Sequence, residues 1–223
     1  MKTLVAVCGR DRVNLVKGFL ASVAFELPAE WEKWFWIDPL SQRLGVPDFA
    51  GTDWNIVRPK LDPGDQPRWR VRQMRMAGIL KAAERGAQRI LFLDSDTAVL
   101  GGFTQEYERL WALRGRFLCD AISLANLKHY AQPPYLLESH PESQLSVRAF
   151  GMGACLSLAV SPKLVAHTAD QHKGSWDTHI SRTAAGNRVL TSDLSYISHE
   201  GRHSGMSGPG TRKHGLDFHN FAG

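Results

Sequence analysis

Asp94 and Asp96 stand one residue apart at the end of the apolar run Ile90-Leu91-Phe92-Leu93. An ionised carboxylate is costly to take out of water unless it is paired or bound to a cation, so two of them at a strand tip are not there for packing. Hard oxygen ligands suit Mg²⁺ or Mn²⁺, and such cations bridge protein carboxylates to substrate phosphates. The run therefore predicts a divalent-metal site on Asp94 and Asp96, with Ser95 between them. In open α/β sheets ligands bind beyond the carboxyl ends of the strands. The first apolar run ends at Val7, Gly9 and Arg10, which should share a crevice with Asp94-Ser95-Asp96. Arg10, Arg12 and Arg72 are candidates for diphosphate or base contacts, because a guanidinium forms forked bonds with phosphate oxygens.

The elements that must position these residues are legible as alternating periodicities. Lys2 to Val7 reads as a strand, and Val13, Val16, Phe19, Leu20 and Val23 mark a helix with Asp11 near its cap. Lys33 to Asp38 and Asn55 to Val57 read as strands, followed by a Pro- and Gly-containing loop to Pro67. From Pro67 to Arg85 an amphipathic helix is predicted, with Val71, Met74, Ala77 and Leu80 on its apolar face and Arg75, Lys81 and Arg85 on a solvated one. It leads into the Ile90–Leu93 strand. Strand and helix alternate, the pattern of a largely parallel sheet. Further on, Gln105 to Leu113 reads as a helix and Cys119 to Leu124 as a strand. Asn126 to Ser143 reads as a long loop and Gly151 to Val160 as a Gly-led strand. Helices are expected after Ser161-Pro162 and near Asp177 to Ala185, then a Gly- and His-rich tail that could serve as a lid.

The chain has 223 residues, 43% of them hydrophobic and 22% charged, the composition of a soluble protein with one full core. One domain is expected, with residues 1–100 forming a nucleotide-sugar-binding half, 101–198 an acceptor side and 199–223 the tail. No apolar run approaches the roughly 20 residues of a membrane span. The first residues lack the features of a signal peptide, so a cytoplasmic location is expected, or the host cytoplasm if a phage encodes the chain. Cys8, Cys119 and Cys155 lack metal-ligand spacing and read as buried thiols. The formal charge of +5 suits an anionic partner. Trp69, between Arg68 and Arg70, could stack on a base or a sugar, whereas Trp31, Trp34, Trp36 and Trp54 read as core or sheet cover.

Strand followed by Asp-x-Asp, about a hundred residues into an α/β chain, resembles the GT-A family of nucleotide-sugar glycosyltransferases. The likeness spans most of the chain and is strongest over Leu91-Phe92-Leu93-Asp94-Ser95-Asp96. It is weaker over Gly151 to Leu158, Trp176-Asp177 and Ser198-His199-Glu200-Gly201. The resemblance implies an α/β fold, a single GT-A-like (Rossmann-like) domain with a mostly parallel central sheet flanked by helices. It further implies a hexosyltransferase that binds a UDP-sugar through Mn²⁺ or Mg²⁺. Asp96 would be the direct metal ligand, Asp94 would contact the donor sugar or ribose or bind through water, and His199 would complete the site with His203 in reserve. Asp177 would be the general base of an inverting enzyme, with Asp170 and Asp193 as fallbacks. Trp-Asp departs from the more usual pair of adjacent acids, so base and stereochemical outcome stay open; Asp177 could equally be a helix N-terminal residue.

The family includes small phage-type members that glycosylate hydroxymethylpyrimidines in DNA, and the basic, Trp-containing stretch from Pro67 to Arg89 is compatible with a DNA acceptor. A glycan, lipid-linked sugar or protein acceptor is the alternative. Two other classes compete. Phosphatases with an Asp nucleophile also use a strand ending in Asp-x-Asp, but their strand is normally the first of the fold, and Ala98 stands where they carry Thr or Val. A non-enzymatic nucleic-acid binder explains the charge and leaves Asp94, Asp96 and His199 without a purpose.

Overall fold

Four parallel strands build one half of the sheet. They are β1 (Thr3–Gly9), β2 (Glu32–Ile37), β3 (Asn55–Val57) and β4 (Arg89–Asp94), in the order β3-β2-β1-β4. Of these, β1 and β4 are almost wholly buried, β2 mostly so, and β3 is a more exposed edge. The computed structural model describes residues 1–60, 67–126, 136–149, 156–163 and 188–199. Within these the sheet continues through β9 (Ser157–Val160), β6 (Ala121–Ser123), β10 (Arg188–Ser192), β8 (Leu145–Ala149) and β7 (Leu136–His140). Of the nine strands of this sheet, only β8 and β9 run against the rest. The result is a single α/β domain on a mixed sheet rich in parallel strands, as the alternating pattern predicts. A separate ribbon pairs β5 (Thr97–Val99) with β11 (Ile197–His199).

Side chains alternate across the pleat, which splits the core in two. Val5, Val7, Phe35, Ile37, Leu91 and Leu93 face α1 (Val13–Glu26) and α3 (Phe103–Leu113). Leu4, Ala6, Cys8, Trp36, Ile90 and Phe92 face α2 (Pro67–Glu84). Aromatic rings fill the first layer: Phe35 meets Phe49 at 4.7 Å between centroids, and Phe19 meets Trp54 at 5.7 Å. Trp31, Trp36 and Trp54 are buried as expected and Trp34 is half-buried. On the second layer Gly78 of α2 lies so near β1 that an added Cβ would sit 3.1 Å from that of Ala6. Burial raises the thiol pKa of both Cys8 and Cys119, the latter to about 11, so neither is a reactive nucleophile.

Three local expectations change. Leu80 is 59% exposed, while Met74 is buried and Val71 and Ala77 pack against the core as expected; Arg70, Arg72, Arg75, Ile79 and Ala82 are buried with them. A helix that leads into a parallel strand runs antiparallel to it, so the first turns of α2 lie at the carboxyl edge of the sheet, where its arginines meet strand-end carboxylates. Second, Leu136–His140, inside the predicted loop, is the edge strand β7, whose Glu, Ser and His disguise it. Third, Asp11 does not cap α1; Arg12 occupies the N-cap without a side-chain bond. The Oδ1 of Asp11 instead accepts hydrogen bonds from Ser41 Oγ (2.7 Å), Gln42 N (2.7 Å) and Arg43 N (2.8 Å), clamping the loop after β2.

That clamp has a pH signature. Burial works to raise the Asp11 pKa, but the hydrogen bonds ending on it outweigh this and hold the carboxyl at about 2. A group depressed on folding stabilises fully above its unfolded value of about 3.9 and loses that contribution as pH falls through its folded one. Wild type should therefore lose its stability margin over Asp11→Asn between about pH 4 and 2 in urea unfolding curves. A margin that does not change with pH would contradict the clamp.

Candidate functional site

The chain leaves β1 towards β2 and β3 on one side and returns to β4 on the other, so a crevice opens between the carboxyl ends of β1 and β4. Cys8 is in register with Asp94, and Gly9 with Ile37. Asp94-Ser95-Asp96-Thr97 forms a turn closed by Thr97 Oγ1 donating to the Asp94 carbonyl at 2.7 Å. The turn runs straight into β5, which pairs His199 with Thr97. Two segments a hundred residues apart thus place an imidazole beside the carboxylates. His199 Nε2 lies 3.4 Å from Asp96 Oδ2.

Gly9 makes room for this turn. A Cβ built on it would stand 2.6 Å from Phe35 Cζ and 2.9 Å from Ser95 Oγ. The Phe35 ring is fully buried against Phe49 and Trp54 and has little freedom to yield. Gly9→Ala should cost about 1–3 kcal/mol, the range for overpacking a filled core, read as a lowered urea midpoint; an unchanged midpoint would show that the turn can move aside.

Both carboxylates are engaged by arginines. Arg75 Nη2, 7% exposed, donates a short hydrogen bond to Asp94 Oδ1. Arg12 Nη1 donates to Asp96 Oδ2 at 2.5 Å. Burial pushes the Asp96 pKa up, but the hydrogen bond and charge of His199, then the charge of Arg12, hold it below the usual carboxylate value. Burial would lower His199; its hydrogen bond to Asp96 and the charge of that carboxylate raise it instead. A parallel pair lies at the end of β2, where Arg70 Nε donates to both oxygens of Asp38 at 3.2 Å with the two side chains 2% and 3% exposed. The Asp38 N–H also donates to the Gly9 carbonyl at 2.9 Å, tying this pair to the crevice.

The structure therefore brings together Gly9, Arg12, Asp94, Ser95, Asp96 and His199 of the sequence-predicted set. Val7 lies one residue from the crevice but buries its side chain in the core, leaving only its backbone for a ligand. Arg10 is largely exposed, 3.7 Å from Asp11. Arg72 is buried, with its guanidinium carbon 4.9 Å from the Trp69 ring centroid, so this pair is already stacked. Asp193, the fallback base, accepts from Ser146 Oγ of β8 at 2.5 Å. Asp170, Trp176, Asp177, Glu200, Gly201, His203, Cys155 and the tail, with the helices predicted beyond Ser161-Pro162, lie outside the described residues.

Arg75, expected on a solvated face, is instead buried against Asp94, and the sequence carries no comparable signal for the Asp38–Arg70 pair. The available signal was that the arginines of α2 continue the buried Ile79–Ala82 stripe at helical spacing towards the sheet's carboxyl edge. Burial of Arg70, Arg72, Arg75 and Arg89 leaves less basic surface displayed than the sequence suggests.

A hard divalent cation fits this donor set by chemistry, with two carboxylates and an imidazole converging on one turn. As they stand, the three are not gathered to hold an ion, and among the described residues no group of three His, Cys, Asp or Glu is. Arg75 holds Oδ1 of Asp94, and Arg12 holds Oδ2 of Asp96.

Neither a protein-family model nor a curated protein sequence matches the chain. Solved structures do. TarS of S. aureus in complex with UDP-GlcNAc superposes with a TM-score of 0.59 at 16% identity, over 93% of this chain and 61% of that one. The fold is Rossmann-like, of the GT-A type. Mannose-1-phosphate geranyltransferase from Thermus thermophilus matches with a TM-score of 0.53 at 13% identity, over 86% of this chain and 74% of that one. UDP-glucose pyrophosphorylase complexed with UDP-glucose gives 0.51 at 8%, over 86% and 90%. The chain spans about three fifths of the TarS 1–349 fragment. No helix among the described residues is long and apolar enough to cross a membrane.

Proposed function

We propose that this chain is a metal-dependent glycosyltransferase that moves a sugar from a nucleoside-diphosphate sugar, UDP-linked, to a hydroxyl acceptor. One observation carries the reading: Asp94 and Asp96 end the strand at the topological switch point, with His199 folded over them by β11. The fold supports it as well, since the similar TarS structure was solved with UDP-GlcNAc and a pyrophosphorylase with UDP-glucose.

Asp94, Asp96 and His199 would hold Mn²⁺ or Mg²⁺, which supplies Lewis-acid stabilisation of the leaving diphosphate. Arg12 and Arg75 would place positive charge beside the same leaving group. Gly9 leaves the crevice floor without a side chain. Asp177 is the proposed base that takes the proton of the attacking hydroxyl. Hydroxymethylated pyrimidines in DNA are one acceptor to test. The net charge supports that acceptor, while the burial of the α2 arginines leaves less basic surface for it.

UDP release from UDP-glucose, UDP-GlcNAc and UDP-galactose, with Mn²⁺ and hydroxymethylated DNA or simple glycans, tests the proposal. Acceptor-stimulated release of UDP supports it. Hydrolysis of a generic phosphomonoester without UDP release would favour the phosphatase reading, and salt-sensitive DNA binding indifferent to Mn²⁺ and UDP would favour a binder.

A further inference from the structure

In a site of two carboxylates waiting for a divalent cation, the charge before binding should be strongly negative. Here it is not. Asp94 is held by Arg75 and Asp96 by Arg12, and the four charges cancel before His199 is considered. Neither pair is a surface accident, since Arg75 is 7% and Arg12 27% exposed, and the carboxylates are 28% and 18% exposed. At such burial a unit charge within a few ångströms acts in a medium far less polarisable than water. A bare divalent cation arriving at the turn meets both guanidinium charges and must also win Asp94 from the hydrogen bond it accepts from Arg75.

A diphosphate reverses that balance. It offers the guanidinium groups anionic oxygens that match their forked geometry better than a single carboxylate oxygen does, and it brings negative charge for the cation to bind. Resting on the donor reading above, we infer that Arg75 is a built-in counter-ion of Asp94 that makes cation binding depend on the donor. Without a diphosphate Arg75 holds the carboxylate; with one it changes partner and frees Asp94 for the cation. The site then takes the cation and the nucleotide together and discriminates against free metal. By linkage, nucleotide and cation each strengthen the other by the same factor. Arg75 is a positioning residue in this scheme, acting through Asp94.

The test is titration of the full chain with Mn²⁺, followed by the paramagnetic resonance signal of free Mn²⁺, first alone and then with UDP. Arg75→Met removes the charge and keeps an unbranched stem, and Arg75→Lys keeps the charge. Lys81→Gln, on the same helix but paired with the exposed Glu84, controls for loss of a remote charge. Without nucleotide, Arg75→Met should bind Mn²⁺ at least about tenfold more tightly than wild type, while Arg75→Lys and Lys81→Gln stay within about threefold of it. UDP should tighten Mn²⁺ binding by about tenfold or more in wild type and by less than about threefold in Arg75→Met. Arg75→Met binding Mn²⁺ no more tightly than wild type would overturn the inference; should that variant not fold, by circular dichroism, Arg75→Gln takes its place with the same two outcomes. UDP without effect on any variant, alongside tighter Mn²⁺ binding by Arg75→Met, would refute the donor reading and the donor dependence with it, leaving Arg75 only a counter-ion of Asp94.

Discussion

Asp96→Ala is expected to abolish Mn²⁺-dependent nucleotide binding while leaving the fold intact. Asp96 lies in a turn rather than in the core. Its carboxylate is the point on which Arg12 at 2.5 Å and His199 at 3.4 Å both converge. Changing groups that merely orient a metal's ligands costs about 10–100-fold in affinity, so losing a ligand itself should cost at least about a hundredfold. Nucleotide binding measured with and without Mn²⁺ in wild type and variant reads this directly. Removal of the carboxylate also takes away the partner that raises His199, so the imidazole titration followed by NMR should move down towards its ordinary value. Unchanged Mn²⁺-dependent binding in Asp96→Ala would take away the main support for the metal at this turn.

The second large effect belongs to stability. Asp38→Ala removes the carboxylate that receives Arg70 through both oxygens in a pair almost wholly withdrawn from water. The same carboxylate accepts the Leu40 N–H at 2.9 Å, which shapes the turn after β2. Breaking a buried ion pair by deleting one member costs about 3–5 kcal/mol, whereas replacing both members by apolar groups is often neutral or stabilising. Asp38→Ala should therefore destabilise strongly, and Asp38→Ala with Arg70→Met should recover most of the loss. A double-mutant cycle from urea unfolding checks both limbs. A single-variant loss under about 1 kcal/mol would show that water reaches the pair, at which exposed ion pairs are worth that little.

These two expectations also show which parts of the molecule could be read in its sequence. The parallel half was legible because β1 and β4 are buried on both faces, so each carries a continuous apolar run with an abrupt end at the crevice. The place of the crevice follows from that pattern and from the rule that ligands bind beyond the carboxyl ends of the strands. What escaped depends on pairings with no local signal. β5 and β11 are three residues each and meet across almost a hundred residues of chain. Periodicity cannot register strands that short, and the placement of His199 came only through its family resemblance. Arg75 escaped for a different reason: a charged residue on a helix is most often solvated, and its burial is intelligible only once Asp94 is known to face it. Asp11, one residue from the helix start, had the composition of a cap and the geometry of a loop clamp. Leu136–His140 is a polar edge strand, and edge strands lack the two-sided burial that makes central ones readable.

Calorimetric titration of the purified chain with UDP, GDP and their sugars, with and without Mn²⁺, tests the central claim most directly. The account predicts that one uracil nucleotide binds, that binding requires Mn²⁺, and that Asp96→Ala loses it. Binding of none of these nucleotides under either condition would contradict a nucleotide-sugar transferase, whatever the fold.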